Sequence, residues 1–375
     1  MSSTLTRADS RRAWGWVGHL RRGGTTQWAA WTGETDEAGR FLPGAQQLEL
    51  LRRVNVRATT GVPVTLASRV LVASAPGRGR PDLELAGAGV ASPFGPRPID
   101  PAILPADELV RVATSLLADD VVAAGLPPVA PSLPARPWRR SYRLVGDPVL
   151  ADPLRAQLVA RGRPPGGRNP LVLVLGCPAD RMLADAFEAR ALDTGGPSWP
   201  EWLAILIERD QLAPRVDLAA VAAHWARRTG RGRVTLVLDP AAVPRLVGIR
   251  RRLIVPTPLS AEAVDLARRV AGVLGLLVTP EHRRALLRGA LAPRLRGLPG
   301  AALGVPEEHR AWLTGRAGRM RRELLRAGYP VEGAPPGADH LDGVLPTYPP
   351  DAAVHVADDE VLELAIGLLL GGDPT

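Results

Sequence analysis

The stretch "PLVLVLGCPADRMLADAFEARAL" (Pro170–Leu192) decides the fold class, because an apolar strand runs directly into an amphipathic helix. The run "LVLVLG" within it contains no polar side chain, which is typical of a strand that is covered on both faces. "RVTLVLDP" (Arg233–Pro240) repeats the pattern after further helical segments. Apolar strands that alternate with helices predict a mainly parallel sheet flanked by helices. We therefore expect an α/β fold.

Two further segments complete the predicted sheet. "YRLV" (Tyr142–Val145) precedes a helical segment, and "WGWVGHL" (Trp14–Leu20) is interpreted as a short buried strand before a glycine loop. The four strands predict a single α/β domain over residues 1–375. A Pro/Gly/Arg-rich excursion at about 57–107 and a proline-rich connector at about 126–138 interrupt the pattern.

The charge pattern bears on the choice of partner. All 47 basic residues are arginine, and with 38 acidic residues they give a net charge of +9. These arginines are spread along the chain and interleaved with acids, whereas a nucleic-acid surface needs a basic stripe with stacking aromatic residues. Phe and Tyr number only three each, so a nucleic-acid partner is not expected.

The chain also lacks the signals of a membrane or secreted protein. No apolar run is long enough for a membrane helix, and the N-terminal sequence lacks the apolar core of a signal peptide. We expect a cytoplasmic protein without a membrane partner. The sequence does not indicate an oligomeric state.

The metal-ligating residue types are sparse. The single cysteine, Cys177, excludes an internal disulfide and a cysteine-clustered zinc site. It ends an apolar run, and we favour a packed thiol over a nucleophile. Five histidines show no metal-ligand spacing to one another, so we predict no metal. These are His224, His282, His309, His340 and His355.

The loop "LRRGGTT" (Leu20–Thr26) has the chemistry of an anion site. Glycines expose backbone N–H groups, arginines add positive charge, and threonines add hydroxyl donors. The loop is not a Walker A motif, because both the lysine and the G-x-x-x-x-G-K-[ST] spacing are missing. An ordinary glycine turn remains the alternative to an anion cradle.

The longer stretch "VGHLRRGGTTQWAAW" (Val17–Trp31) resembles the strand–loop–helix of bacterial P-loop sulfotransferase-like proteins, with their pattern H-x-G-x-P-K-T-G-T-T. The tail "GVPEEHRAWLTGRAGRMRRELLRAGYPVEG" (Gly304–Gly333) is similar to that of actinobacterial members of this group. The resemblance touches much of the chain in the same order. It implies a three-layer, P-loop-like α/β fold. It also implies transfer of a sulfuryl group from 3′-phosphoadenosine 5′-phosphosulfate to an unknown hydroxyl or amine acceptor.

The resemblance further implies which residues perform the chemistry. Arg22 stands where the family has a lysine, and Asp147 falls near the family's general base, which is usually a histidine. Arginine keeps the charge but is not a compact ammonium, and an aspartate of ordinary pKa is a weak base at neutral pH. The family's 3′-phosphate arginine and serine align with Cys177 and Ala184. The residues implied to bind the cofactor are Gly23, Gly24, Thr25, Thr26 and Arg181.

Several positions that perform the chemistry in the family carry other residue types in this chain. Two functions therefore stay open. One is an active sulfotransferase with Arg22 and Asp147 as its catalytic residues. The other is a catalytically degenerate binding or interaction protein on the same fold, whose loop is filled by its own side chains. A shared fold does not by itself carry an activity.

Overall fold

The computed structural model describes residues 2–74, 82–88, 98–128, 140–333 and 340–371, and for residues 2–6 the backbone alone. The helices are α1 (Ser2–Arg21), α2 (Ala45–Arg57), α3 (Val64–Val72), α4 (Ala106–Ala124), α5 (Pro148–Ala160), α6 (Ala179–Ala191), α7 (Trp199–Glu208), α8 (Leu218–Thr229), α9 (Val243–Leu246), α10 (Ala261–Leu277), α11 (Pro280–Leu286), α12 (Ala292–Leu295), α13 (Glu307–Ala327) and α14 (Asp358–Leu370). The strands are β1 (Tyr142–Gly146), β2 (Leu171–Leu175), β3 (Val234–Val237) and β4 (Val331–Glu332).

The sequence predicts one domain. Contacts within the structure divide the chain into two compact units. The first contains Met1–Gly125, Leu266–Arg294 and Val356–Thr375, and the second contains Leu126–Asp265 and Leu295–His355. Within the predicted excursion the structure describes α3 and the approach to α4, but residues 75–81 and 89–97 lie outside the described residues. Most of the predicted proline-rich connector, from residue 129 onward, also lies outside them.

The described part of the first unit is mainly helical, and it corrects the first predicted strand. Ala13, Trp16, Val17 and Leu20 of α1 are each 0–1% exposed. This spacing places one apolar stripe of a helix against the core. The segment Trp14–Leu20 is therefore the second half of α1, and the prediction of a strand there is wrong. Helices α2, α4 and α14 pack together in the same unit.

The second unit holds the sheet, and here the α/β prediction is confirmed. All pairings between the described strands are parallel, and the strand order is β1-β2-β3-β4. Three of the predicted strands form its first three positions. The fourth position is taken by the two residues of β4, which the sequence analysis did not predict. Strand β3 is buried throughout and β2 nearly so, as expected of strands covered by helices on both faces.

Two glycines shape the edge where the strands end. Gly146 has φ +92°, and a Cβ there would lie 2.1 Å from the carbonyl oxygen of Leu175. A Cβ on Gly176 would lie 2.3 Å from a methyl group of Leu218. The chain therefore leaves β1 and β2 in tight turns that lead into α5 and α6.

In the described part of the chain, no helix has the length and apolar character to span a membrane.

Candidate functional site

Asp147 stands directly after β1 and has no exposed surface. Its Oδ1 accepts hydrogen bonds from the backbone N–H groups of Val149 (2.9 Å) and Leu150 (3.0 Å). The carboxyl group thus caps the N-terminus of α5 by satisfying donors that have no partner within the helix.

Arg215 fixes this turn from a neighbouring loop. Its Nε donates to the carbonyl oxygen of Gly146 at 2.7 Å. Its terminal nitrogens donate to the Asp152 carboxylate on α5 at 2.8 and 3.1 Å. The planar guanidinium therefore ties the end of the strand to the helix that follows it.

Three more side chains meet Asp147 at this edge of the sheet. The Sγ of Cys177, just beyond β2, lies 3.8 Å from Asp147 Oδ2. On α6, Arg181 Nε donates to both carboxylate oxygens of Asp185, at 2.8 and 2.9 Å. We call Asp147, Cys177, Arg181 and Asp185 the carboxyl-edge cluster.

Asp147, Cys177 and Asp185 each offer one possible metal-ligand atom, and these atoms lie within 4.8 Å of one another. Among the described residues this is the group spaced closely enough to hold a metal ion. The Arg181 guanidinium already supplies a positive charge there. The absence of a resident metal stays a prediction.

Burial governs the protonation of the cluster. It raises the pKa of Asp147 well above its usual range, and repulsion from Asp185 adds to the effect. Burial also raises the pKa of Asp185, but the Arg181 guanidinium opposes that rise. Two carboxyl groups this close do not both ionise readily. Burial and repulsion therefore favour the protonated form of Asp147, whereas the Arg181 guanidinium favours the ionised form of Asp185.

The thiol of Cys177 stays neutral for the same reason. Burial, followed by the nearby carboxyl groups, raises the pKa of Cys177 well above its usual range. Nucleophilic cysteines need a lowered pKa, because the thiolate is the reactive form. The geometry thus agrees with a packed thiol.

A cavity of about 470 Å³ opens beside the cluster. Cys177, Arg181 and Asp185 line it, whereas Asp147 lies behind them and is not part of the wall. Leu150 and Pro240, which follow β1 and β3, line it as well. The cavity therefore sits where the strands of the parallel sheet end, which is the usual ligand position in open α/β sheets.

Tyr348, which also lines the cavity, is held in a strained backbone conformation. The buried Asp180 carboxylate accepts hydrogen bonds from the backbone N–H groups of Thr347 (3.1 Å) and Tyr348 (2.8 Å). These bonds hold Tyr348 at φ +48°, a region that aromatic residues rarely adopt. The Tyr348 hydroxyl donates to the Arg310 carbonyl at 2.8 Å, and the Arg310 guanidinium lies 5.1 Å from the tyrosine ring centroid.

The glycine loop of the first unit follows the C-terminal end of a helix. The backbone N–H groups of Arg22, Gly23 and Gly24 donate to carbonyls of the last turn of α1, at 3.0–3.3 Å. His19 Nε2 lies 3.0 Å from Thr26 Oγ1, and a Cβ on Gly24 would lie 2.2 Å from that same nitrogen. The histidine side chain therefore fills the space against Gly24. A helix C-terminus carries partial negative charge, in contrast to the N-terminus that the anion-cradle prediction assumed.

The structure brings together two of the site residues that the sequence predicted. Asp147 and Arg181 belong to the carboxyl-edge cluster in the second unit. The other predicted site residues belong to the first unit: Arg22, Gly23, Gly24, Thr25 and Thr26. Sequence reasoning missed Asp185, although its i, i+4 spacing from Arg181 signals a helical ion pair. Tyr348 gave no such signal, because only the tertiary fold brings it to the cavity.

Comparison with protein-family models, with curated proteins and with solved structures finds no match for this chain. The resemblance to sulfotransferase-like proteins therefore stays a prediction.

Proposed function

We propose that the second unit binds a small anionic molecule in the carboxyl-edge cavity, and that the chain is the non-catalytic binding protein of the two alternatives. The observation that carries this proposal is the placement of Arg181 in the cavity wall. Asp185 fixes its Nε, while the side chain remains 35% exposed. The remaining guanidinium N–H groups form a planar fork that suits a carboxylate, phosphate or sulfate.

The other charged groups of the wall favour the same ligand class. Arg310 supplies a second cation. Asp180 and Asp185 also line the cavity, but their oxygens already accept hydrogen bonds from protein donors. The exposed Asp351 is the remaining acid of the wall. Hydrogen bonds from protein donors therefore engage two of the three carboxylates in the wall.

The raised pKa of Asp147 supports anion binding as well. With Asp147 protonated, the charges of Asp185 and Arg181 cancel. Two ionised carboxylates would instead leave a net negative charge next to the ligand. The raised pKa of Asp147 thus limits the negative charge next to the cavity.

Two features favour binding over sulfuryl transfer. A general base must reach the proton that it abstracts, whereas Asp147 is fully buried, caps α5 and does not line the cavity. The glycine loop around Arg22 uses its backbone donors internally and packs against His19. A loop filled by its own side chains is what the non-catalytic alternative predicts.

Thermal unfolding with added sulfate, inorganic phosphate or adenosine 3′,5′-bisphosphate tests the proposal. An anion that binds the folded state at about 100 times its Kd stabilises the protein by about 2.7 kcal/mol. We expect at least one of these anions to raise Tm for the wild type and for Arg209→Gln, a control at an exposed arginine outside the cavity. Arg181→Gln should lose the increase, and Arg181→Lys should regain only part of it.

The same experiment separates the two alternatives. Sulfate also stabilises proteins non-specifically, and such an effect would be equal in all variants. An equal increase in Arg181→Gln would therefore contradict the proposed site. An increase seen only with adenosine 3′,5′-bisphosphate, and lost in Arg22→Ala but not in Arg181→Gln, would favour the sulfotransferase interpretation instead.

A further inference from the structure

Arginine side chains also gather at the opposite edge of the sheet, where the strands begin. Arg143 is the exposed residue of β1, and its guanidinium lies 5.2 Å from the ring centroid of Trp225 on α8. The guanidinium of Arg228 lies 5.7 Å from the same centroid. The half-buried indole of Trp225 therefore holds two cations in place.

A second aromatic residue repeats this arrangement next to the first. The guanidinium of Arg231, three residues beyond Arg228, lies 5.8 Å from the ring centroid of Tyr329, just before β4. Arg233 is exposed and directly precedes β3. We call these residues the amino-edge patch: Arg143, Trp225, Arg228, Arg231, Arg233 and Tyr329.

The arginines of this patch have no acidic partners. All four are exposed, and none forms an ion pair within the described part of the chain. Residues 218–233 contain no Asp or Glu. Glu332, close to Tyr329 in sequence, is paired with Arg245 at 2.6 Å. Glu323 on α13 lies six residues before Tyr329. The patch therefore carries a local excess of positive charge.

We propose that the amino-edge patch binds the phosphate backbone of nucleic acid without reading its sequence. Guanidinium groups held on aromatic rings are preorganised, and their forked donors match phosphate oxygens. Because the guanidinium groups already contact the rings, the rings are not free platforms for base stacking, and this favours contacts to the backbone over contacts to bases. The patch has no exposed aliphatic side chain to insert into a bilayer, which argues against a membrane surface.

This proposal revises the expectation drawn from the charge pattern. Arginines interleaved with acids suggested no basic stripe. The fold, however, pairs many of those acids with other arginines, as in Arg181–Asp185 and Arg215–Asp152. It gathers unpaired arginines around the two aromatic rings instead.

Fluorescence anisotropy with a labelled duplex DNA and a labelled single strand, over a series of salt concentrations, tests the patch. The variant Arg143→Gln/Arg228→Gln/Arg231→Gln removes three charges. The matched control Arg250→Gln/Arg251→Gln/Arg252→Gln removes three exposed charges elsewhere in the same unit. Each lost phosphate contact lowers the duplex salt slope by about 0.9. We expect the patch variant to lose about 2.7 from the slope and at least about tenfold in affinity at low salt, and the control to change little.

A second variant tests the role of the aromatic ring without changing charge. Trp225→Leu should weaken binding while leaving the salt slope unchanged, and Trp225→Phe should restore most of the affinity. Should the triple variant fail to fold, Arg143→Gln alone should lower the slope by about 0.9. Equal losses in patch and control variants, or binding to phosphatidylserine vesicles but to neither nucleic acid, would overturn the proposal.

Discussion

Glu188 provides a prediction about stability that can be worked out in full. It lies on α6, is 3% exposed, and accepts a hydrogen bond from the backbone N–H of Leu259 at 3.0 Å. Burial is the largest cause that raises the pKa of this carboxyl group from 4.5 to about 7. The substitution Glu188→Gln keeps an oxygen that can accept the Leu259 hydrogen bond but removes the titration.

Proton linkage gives the direction in which the free energy of unfolding changes with pH. The folded protein holds the Glu188 proton more tightly than the unfolded chain does. Its contribution to the free energy of unfolding is therefore complete below pH 4.5 and is lost as the pH rises to about 7. At about 1.4 kcal/mol for each pH unit, the loss is about 3 kcal/mol. Above about pH 7, Glu188→Gln should thus exceed the wild type in stability by up to about 3 kcal/mol.

Urea unfolding followed by circular dichroism at acid and mildly alkaline pH measures this difference. The comparison between variants cancels the titration of other, distant groups. Glu308→Gln, at an exposed glutamate, is the control and should follow the wild-type pH dependence. A wild type and a Glu188→Gln variant whose stabilities stay parallel from acid to alkaline pH would refute the reasoning.

Three further substitutions or probes test the carboxyl edge. In urea unfolding, Gly146→Ala should lower the free energy of unfolding more than Gly230→Ala does. Both glycines have positive φ, but only a Cβ at position 146 would lie 2.1 Å from the carbonyl oxygen of Leu175. Equal losses of unfolding free energy would contradict this. Asp147→Asn should preserve the helix cap with a neutral side chain, whereas Asp147→Ala should lose about 1–2 kcal/mol of unfolding free energy from the cap alone. Asn and Ala variants of equal stability would argue against the role of Asp147 as a helix cap. Cys177 should react with iodoacetamide more slowly than free cysteine at pH about 8, since its raised pKa keeps the thiolate scarce; reaction at the rate of free cysteine would contradict that.

The sequence predicted the sheet where the pattern was strong and local. "YRLVG", "LVLVL" and "VTLV" are apolar runs of strand length, and each becomes a strand of the second unit. "WGWVGHL" was misinterpreted as a short buried strand because it directly precedes a glycine loop. The apolar spacing of Ala13, Trp16, Val17 and Leu20 nevertheless fits a helix. Strand β4 is two residues long, too short for a periodic signal.

The candidate site was predictable only in part, for a similar reason. Asp147 and Arg181 follow recognisable strands, so local sequence places them at the carboxyl edge. Asp180 and Tyr348 are 168 residues apart and meet only through the tertiary fold. The raised pKa of Asp147 depends on burial and on Asp185, neither of which a single sequence displays.

The most direct test of anion binding at the carboxyl edge is a crystal of the protein soaked with selenate, whose anomalous scattering locates the ion. The proposed function predicts a selenate ion in the cavity beside β1 and β2, with an oxygen in hydrogen-bond distance of a terminal nitrogen of Arg181. The same soak of Arg181→Gln should leave that position empty. Selenate bound only at the loop of residues 22–26, or only outside the cavity, would contradict the proposal.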